Sequence, residues 1–394
     1  MNSEMPIFEW MLNIALMLAL AKVFEALVVR IGLPRVVGYV IAGLVLALLG
    51  FEIDAVSYAF ALVGIIVMLF YAGLGETTKE FLRGLKKAGL VAGGGVIGAL
   101  ACGFIAGLIL NLSYSESLAL SVAFSATSVS ITVKTLEELG RLGSIESRVI
   151  VGAAVVDDVL GLSLISVMVG VATESLDPYS ILGTTVLAFA FWAGVVISSE
   201  HMPRPLMKLS RIVRVEAFYL TTTFVILILL SYLAMYVKLS AILLAYALGL
   251  GLSSHHYLRR RVASGIYPLV AIFTPLFFVY AGSLVDLEEV AQTLLTGTYL
   301  VTTVTVLVLG FMSKILGCAL AAKLLGFDRR TSLIVGIGMV PRGEVMLVTA
   351  AMALELGIMT YHVYSALLTL IIVSSIAVPI MLKKIYAGSL VLQA

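Results

Sequence analysis

Two adjacent aspartates, Asp157 and Asp158, stand inside the apolar run AAVVDDVLGL at residues 153–162. A charged carboxylate near the centre of a bilayer costs on the order of 3 kcal/mol even on a lenient insertion scale. Two neighbouring carboxylates cost more, because ionising one raises the pKa of the other. A carboxylate holds either a proton or a hard cation such as Na⁺, so the pair is a candidate cation- and proton-binding site. The alternative is that one aspartate caps an interrupted helix or forms a structural pair.

A single lysine, Lys314, lies in the middle of a second apolar run, VLGFMSKILGCAL. It is too far from either end of the run for its ammonium group to reach the membrane surface easily. Its natural partner is a buried carboxylate, which would keep both groups charged. Lys314 is therefore either a structural ion-pair partner or a proton carrier, and the sequence leaves both open.

Two further apolar segments contain residues that interrupt helices. AFSATSVSITVKTL (123–136) is rich in Ser and Thr, and VGIGMVPRGEVMLV (335–348) places glycines and Pro341 around Arg342 and Glu344. Proline and glycine in a membrane helix free backbone carbonyl and N–H groups, which are tolerated where they line a cavity. We expect two interrupted helices whose carbonyl ends help to coordinate a cation, with charged side chains offsetting the half-helix dipoles.

The composition places these residues in a membrane. The chain has 394 residues, of which 61% are hydrophobic and 12% charged, whereas soluble domains carry about a quarter charged residues. The net charge of +2 gives no reason to expect a nucleic-acid partner. Neither of the two cysteines has metal-ligand spacing, and no sequence pattern indicates a cofactor. Because of the apolar composition, we expect the protein to be surrounded by membrane lipid.

Apolar runs between polar, glycine or proline residues predict about 13 transmembrane helices, given the roughly 20 residues that a crossing needs. They lie near 5–29, 35–50, 55–75, 88–110, 116–136, 147–171, 180–199, 216–237, 239–253, 264–283, 294–322, 331–353 and 360–382. With this map, 21 of the 25 basic residues fall in loops or at span ends on one side, and only Lys238 falls on the other; Lys22, Lys314 and Arg342 lie inside spans. The positive-inside rule then puts the N-terminus outside and the C-terminus in the cytoplasm of a multi-pass protein of the cell (inner) membrane.

A weak internal repeat is also present. FYAGLGETTKEF (70–81) resembles VYAGSLVDLEEV (279–290), and GLPRVVGYVIAGLVLALL (32–49) parallels KLSAILLAYALGLGL (238–252) at nearly the same offset. The matches predict a first repeat over 1–171 (helices 1–6), a linker helix 7 with a cytoplasmic loop over 172–215, and a second repeat over 216–394 (helices 8–13). Because the copies are seven helices apart, the second is expected to be inverted, as in many secondary transporters. The interrupted helices, 5 and 12, then occupy corresponding positions and should cross near the midplane.

The combined motifs resemble the sodium/proton antiporters of the second cation–proton antiporter superfamily. GAAVVDDVLGL, preceded by ATSVSITVKTLEELGRL and followed by GMVPRGEV, carries the resemblance, which extends to GLPRVVGYVIAGLVL, FYAGL and SKILGCALAAKLLGF. The resemblance implies a homodimer in which a dimer domain and an ion-transporting core domain are each drawn from both repeats. It also implies that the chain is not an enzyme and that it has no cofactor beyond its transported ions, Na⁺ (or Li⁺) and H⁺.

The resemblance also assigns roles to individual residues. Asp158 is implied as the main cation- and proton-binding carboxylate, and Asp157 as the first acid of the pair, able to bind Na⁺ and to ion-pair with Lys314. An unwound segment at Thr127 and Ser128 is implied beside the ion. On the second interrupted helix, Pro341, Arg342 and Glu344 match a PRGE motif for which a structural or pH-response role is expected.

Three alternative functions remain to be weighed. In the family, an Asp-Asp pair with this lysine is typical of electrogenic exchange. Glutathione-gated potassium exporters of the same superfamily instead have glutamine at the position of Asp157, together with a large cytoplasmic nucleotide-binding domain. Here the chain ends about ten residues after Lys384, so no such regulatory domain is expected. A K⁺/H⁺ antiporter or a Na⁺-coupled symporter on the same scaffold stays open. An intramembrane aspartyl protease is a remote alternative, since its two aspartates come from separate helices.

Overall fold

The computed structural model describes residues 6–31, 33–51, 53–75, 78–172, 178–213, 215–234, 236, 241–283 and 297–387. Within these ranges the chain forms helices and no strands, which confirms the predicted all-α class. The helices are α1 (Pro6–Arg30), α2 (Arg35–Leu48), α3 (Ala55–Gly75), α4 (Thr78–Leu110), α5 (Tyr114–Ser125), α6 (Val129–Glu138), α7 (Ile145–Ala172), α8 (Pro178–His201), α9 (Pro203–Val213), α10 (Phe218–Ala234), α11 (Ala241–Leu252), α12 (His256–Ser283), α13 (Gly297–Leu324), α14 (Arg329–Gly338), α15 (Glu344–Glu355) and α16 (Tyr361–Ala387).

The helices have the lengths and apolar character of membrane spans. Eight segments in the described ranges are long and apolar enough to cross a membrane, or up to nine if α8 and α9, bent by 50°, form one span. Shorter apolar helices occur at α2, α10, α11 and α15. Helices satisfy their own backbone hydrogen bonds, which a lipid environment requires. The chain is therefore a multi-pass membrane protein, while the number of thirteen spans stays a prediction.

One segment differs from the sequence expectation. The sequence predicts a loop before residue 216, but α9 occupies Pro203–Val213 in this region. Pro203 stands at the first position of α9, where the fixed φ of proline favours a helix and its missing N–H would be unpaired anyway. Lys238, the basic residue that the loop-charge comparison places on the other side, lies outside the described residues.

The chain divides into two compact units, and each is drawn from both halves of the sequence. The first comprises 1–19, 53–83 and 182–278, and the second comprises 20–52, 84–181 and 279–394. The Asp-Asp pair, Lys314 and both predicted interruptions belong to the second unit. The repeat boundaries predicted from the sequence stay a prediction.

Glycine contacts within each unit follow the spacing of the internal repeat. In the first unit, a Cβ added to Gly249 of α11 would lie 3.1 Å from the Cα of Gly73 of α3. In the second unit, a Cβ added to Gly282 of α12 would lie 3.1 Å from the Cα of Gly43 of α2. Gly282 is 209 residues after Gly73, and Gly249 is 206 after Gly43. Corresponding glycines therefore allow close helix packing in both units; the inverted orientation of the repeats stays a prediction.

Two short helices in the second unit begin at capping side chains. The Ser113 hydroxyl accepts a hydrogen bond from the backbone N–H of Glu116 at the start of α5, at 3.1 Å. The Asp328 carboxylate accepts from the N–H groups of Arg330 and Thr331 at the start of α14, at 2.9 and 3.2 Å. Such caps satisfy donors that have no partner within the helix. The sequence thus fixes where α5 and α14 begin, and both helices then end inside the unit.

Candidate ion-binding site

Both predicted interruptions are present as short non-helical segments. Helix α5 ends at Ser125 and α6 begins at Val129, and Ala126 and Ser128 between them have extended backbone angles. Helix α14 ends at Gly338 and α15 begins at Glu344. Pro341 explains the second interruption, because its ring blocks a helical hydrogen bond and disfavours a helical conformation of the preceding residue.

Hydrogen bonds join the two interruptions directly. The backbone N–H of Ser128 donates to the carbonyl oxygen of Pro341 at 2.8 Å. The hydroxyl of Thr127 donates to the carbonyl of Met339 at 3.3 Å, and that of Thr132 donates to the carbonyl of Gly338 at 2.6 Å. Backbone groups freed by the broken helices therefore find partners in the other interrupted helix, as a buried site requires.

The fully buried Arg342 adds a charged connection to this crossing. Its guanidinium donates to the carbonyl of Ala126 at 2.6 Å, to the carbonyl of Gly310 at 3.1 Å and to the hydroxyl of Ser313 at 3.2 Å. Ala126 follows the C-terminal end of α5, where the helix dipole is negative. Arg342 therefore stabilises the end of one interrupted helix from within the other, and it attaches both to α13.

Lys314 of α13 forms a buried ion pair with Asp157 of α7. The ammonium nitrogen lies 2.8 Å from Asp157 Oδ1 and 2.9 Å from Oδ2. The Lys314 side chain is 0% exposed and that of Asp157 is 2% exposed. Because charged hydrogen bonds strengthen where water is excluded, this contact joins α7 firmly to α13. The contact that the resemblance implied is thus present in the structure.

The space for Lys314 comes from glycine on the neighbouring helix α4. A Cβ added to Gly95 would lie 3.3 Å from both Cδ and Nζ of Lys314, and 2.7 Å from the sulfur of Cys318. Gly94 of α4 also packs closely on Gly317 of α13, since its added Cβ would lie 2.6 Å from the Gly317 carbonyl. Small residues bring α4 and α13 close together around the lysine.

Asp158 differs from Asp157 in its surroundings. It follows Asp157 on α7, so its side chain projects about 100° away around the helix axis. Asp158 and Thr127 are half-buried, whereas Asp157, Ser128 and Lys314 are buried. Helix α7 packs against α5, α6 and α14. The arrangement gives a stable ion pair at Asp157 and a more accessible carboxylate at Asp158.

The remaining predicted residues occupy the interruption between α14 and α15. Pro341 is buried there, and Glu344 is the first residue of α15, although its side chain lies outside the described part of the chain.

The interruption between α5 and α6 supplies hydroxyl oxygens: the hydroxyl of Ser128 shares a hydrogen bond of 3.0 Å with that of Ser130. Oxygen atoms of carboxylate, hydroxyl and carbonyl groups are the ligands that hard cations such as Na⁺ prefer.

Sequence reasoning missed two hydroxyl side chains that hold the site. Ser313 accepts a hydrogen bond from the Arg342 guanidinium, and Ser374 of α16 accepts from the backbone N–H of Arg342, each at 3.2 Å. Ser313 stands directly before Lys314, which was a usable signal. Ser374 lies 32 residues from Arg342 in an apolar helix, and nothing in its local pattern indicates the contact.

A polytopic helical protein with a buried ion pair and a half-buried carboxylate beside two joined, interrupted helices has the form of an ion-coupled secondary transporter. Residues 15–387 match the family model described as sodium/hydrogen exchanger, transmembrane. The chain therefore belongs to the sodium/hydrogen exchanger family. This is a family of transporters, which confirms the prediction that the chain is not an enzyme.

Several relatives match along most of the chain. A Na⁺/H⁺-K⁺ antiporter of Bacillus cereus, GerN, is 31% identical over 97% of this chain and 97% of its own length. A Na⁺/H⁺ antiporter of Enterococcus hirae is 28% identical over 91% of this chain and 94% of its own length. The structure of the sodium proton antiporter MjNhaP1 from Methanocaldococcus jannaschii superposes with a TM-score of 0.67 at 17% identity, covering 98% of each chain. This last match shows a shared fold.

Proposed function

We propose that the protein exchanges Na⁺ (or Li⁺) for H⁺ across the membrane. The observation that supports this proposal most directly is the difference between the adjacent aspartates: Asp157 is buried in an ion pair with Lys314, whereas Asp158 is half-buried. Asp158 binds either a proton or a cation, with Asp157, Thr127 and Ser128 beside it as further oxygen donors for Na⁺. Because one carboxylate cannot hold both ions strongly, binding of one displaces the other, and that competition couples the two fluxes.

The exchange requires alternating access to the two sides of the membrane. The site moves across its barrier when a proton or cation neutralises Asp158, since moving a bare charge through an apolar barrier is costly. If Asp157 and Lys314 also release a proton in each cycle, two protons move for each Na⁺. The exchange is then electrogenic, and the membrane potential contributes about 2.3 kcal/mol per net charge per 100 mV.

Arg342, Pro341 and Glu344 have a structural role or a role in the pH response in this proposal. The three donor contacts of Arg342 support a structural role for that residue. Oxygen ligands supplied by the chain itself suffice for a transported ion, so the proposal needs no cofactor.

The assembly and the orientation are also proposed. The family resemblance supports a homodimer embedded in lipid, with a dimer domain and a core domain in each protomer. The bias of basic loops supports a position in the cell (inner) membrane, with the N-terminus outside and the C-terminus in the cytoplasm.

Proteoliposomes with an imposed pH gradient test the function. We expect NaCl or LiCl to dissipate the gradient in wild-type vesicles, and Asp158→Asn to abolish that response while leaving the protein folded. Asp157→Asn should weaken exchange or change its voltage dependence. Activity retained by Asp158→Asn contradicts the site assignment, and loss of activity only through unfolding is detected by size-exclusion chromatography of the same samples.

A second cation is favoured by one specific observation. The relative from Bacillus cereus is named a Na⁺/H⁺-K⁺ antiporter and matches 97% of this chain. KCl added to the same vesicles distinguishes Na⁺/H⁺ from K⁺/H⁺ exchange, because each salt dissipates the gradient only if its cation is transported.

A further inference from the structure

An apolar groove lies on the outer surface of α13, the helix that carries Lys314, and the neighbouring helix α4. It has a volume of about 450 Å³ and is lined by α4 and α13. Its floor contains Gly94, Gly98 and Gly317, where the two backbones approach closely. Its walls include Ile97 and Leu320, whose side chains are 70% and 59% exposed. The groove therefore opens toward whatever surrounds the protein at this level of the membrane.

The length of the groove matches one leaflet of a bilayer. On α13 its lining runs from Met312 to Leu324, a distance of about 18 Å at 1.5 Å per residue. The hydrocarbon core of a bilayer is about 30 Å thick, so one leaflet contributes about half of that. A single acyl chain from one leaflet therefore fits along the groove.

Positive charge is concentrated at one end of the groove. Lys323 is exposed next to Leu324, and on the antiparallel helix α4 Lys86 and Lys87 are exposed at the same end. The ammonium of Lys87 lies 4.9 Å from the centroid of the Phe327 ring, which joins α4 to the segment after α13. Exposed basic groups at the end of a membrane helix attract the phosphate head groups of anionic lipids.

We propose that this groove binds one anionic phospholipid. An acyl chain packs along Gly94, Gly98 and Gly317, and the head-group phosphate faces Lys87 and Lys323. Apolar length, open walls and charge at one end together match this ligand, and a free anion would leave the apolar part uncovered.

The bound lipid supports the helix turn that carries Lys314. Ser313 lines the groove, accepts a hydrogen bond from Arg342 and is adjacent to Lys314. Gly94 lines it directly before Gly95, the residue that makes room for the lysine. The lipid therefore holds α4 and α13 together behind the Asp157–Lys314 ion pair. This support stabilises the protein whether or not the transported ion has been identified correctly.

Thermal unfolding in detergent with added lipid measures this binding. Purified protein is titrated with phosphatidylglycerol or with phosphatidylcholine of the same chain length, and we expect phosphatidylglycerol to raise the unfolding temperature at lower concentration. In Lys87→Gln/Lys323→Gln the apparent affinity for phosphatidylglycerol should fall about fivefold for each lysine. The matched control Lys383→Gln/Lys384→Gln removes two lysines near the end of α16 and should keep the wild-type response.

A second variant tests the apolar part. Ala101 lies in the groove and is exposed, so Ala101→Phe fills the groove and should abolish stabilisation by both lipids. Ala15→Phe, at an exposed position of α1, is its control. The proposal is overturned if the two lipids stabilise the protein equally, if the lysine pair does not matter, or if Ala101→Phe responds like wild type. None of these outcomes depends on ion transport, so failure here is distinct from failure of the proposed exchange.

Discussion

The guanidinium of Arg342 donates a hydrogen bond of 2.6 Å to the carbonyl oxygen of Ala126, 216 residues away in the other interrupted helix. Two more donors reach Gly310 and Ser313 on α13. One buried cation thus joins three chain segments next to Lys314. A planar guanidinium has the several donors in fixed directions that this needs, whereas a lysine ammonium is a compact point charge.

Replacing Arg342 therefore tests the crossing of the broken helices. In Arg342→Lys the charge is kept but the acceptors cannot all be reached, and leaving buried acceptors unpaired costs on the order of 3 kcal/mol. We expect a clearly lower unfolding temperature in detergent. Arg330→Lys is a matched control, since Arg330 is exposed, and it should unfold within one or two degrees of wild type. An equally small effect of Arg342→Lys would show that these contacts do not hold the interruption together.

The ion pair between Lys314 and Asp157 predicts non-additive effects on stability. Removing one partner of a buried pair costs about 3–5 kcal/mol because the other charge is left uncompensated. Lys314→Gln and Asp157→Asn should each destabilise the protein, and the double variant should be less destabilised than the sum of the two. Unfolding free energies of the four proteins give the coupling energy. Additive effects would mean that the pair contributes no stability.

The same variants separate the two roles left open for Lys314. If Lys314 carries a proton, Lys314→Gln should lose the voltage dependence of exchange in vesicles even where it remains folded. If its role is structural, the Lys314→Gln protein that remains folded should keep the wild-type voltage dependence. Transport at imposed potassium diffusion potentials measures the difference.

Much of this site could be predicted because the sequence places few charged residues inside its apolar runs. Lys314 is one of very few charged residues in the middle of apolar runs, so a buried carboxylate was its natural partner. Pro341 in turn marks its interruption by its own chemistry. The acceptors of Arg342 could not be predicted, because every residue has a carbonyl oxygen and only the crossing of the chains selects Ala126 and Gly310.

The glycines of α4 show the same limit. Nothing in the sequence distinguishes the three consecutive glycines Gly93, Gly94 and Gly95. In the structure, however, a Cβ added to Gly93 would meet nothing within 4 Å, whereas one added to Gly95 would crowd Lys314 and Cys318. Which helix face receives the lysine depends on packing against α13. Three consecutive glycines in a sequence do not indicate which of them will face the lysine.

This difference between neighbouring glycines gives a sharp test. Gly95→Ala should displace Lys314 from Asp157, lower the unfolding temperature and weaken exchange, because its Cβ would lie 2.7 Å from the Cys318 sulfur and 3.3 Å from the lysine ammonium. Gly93→Ala should be neutral or stabilise the helix by about 0.5–1 kcal/mol. Gly95→Ala/Cys318→Ala should recover part of the stability. If Gly95→Ala behaves like Gly93→Ala, Lys314 has more room than the structure shows.

The carboxylate of Asp54, which precedes α3, accepts hydrogen bonds from the backbone N–H groups of Val56 and Ser57 at 2.8 and 2.9 Å. This cap predicts how stability depends on pH outside the membrane spans. Partial burial of the Asp54 carboxyl raises its pKa, but hydrogen bonds from Ser57, Asn13 and Val56 lower it more, so the pKa lies below the ordinary value of 3.8. A depressed carboxyl pKa stabilises the folded protein above pH 4, and that contribution disappears as the pH falls through the folded pKa. Asp54→Ala should cost about 1 kcal/mol at pH 7 by removing the cap of α3. Thermal unfolding between pH 6 and pH 3 should show wild type converging on Asp54→Ala at the acid end, and a constant difference between the two would mean that the charge of Asp54 has no part in the cap.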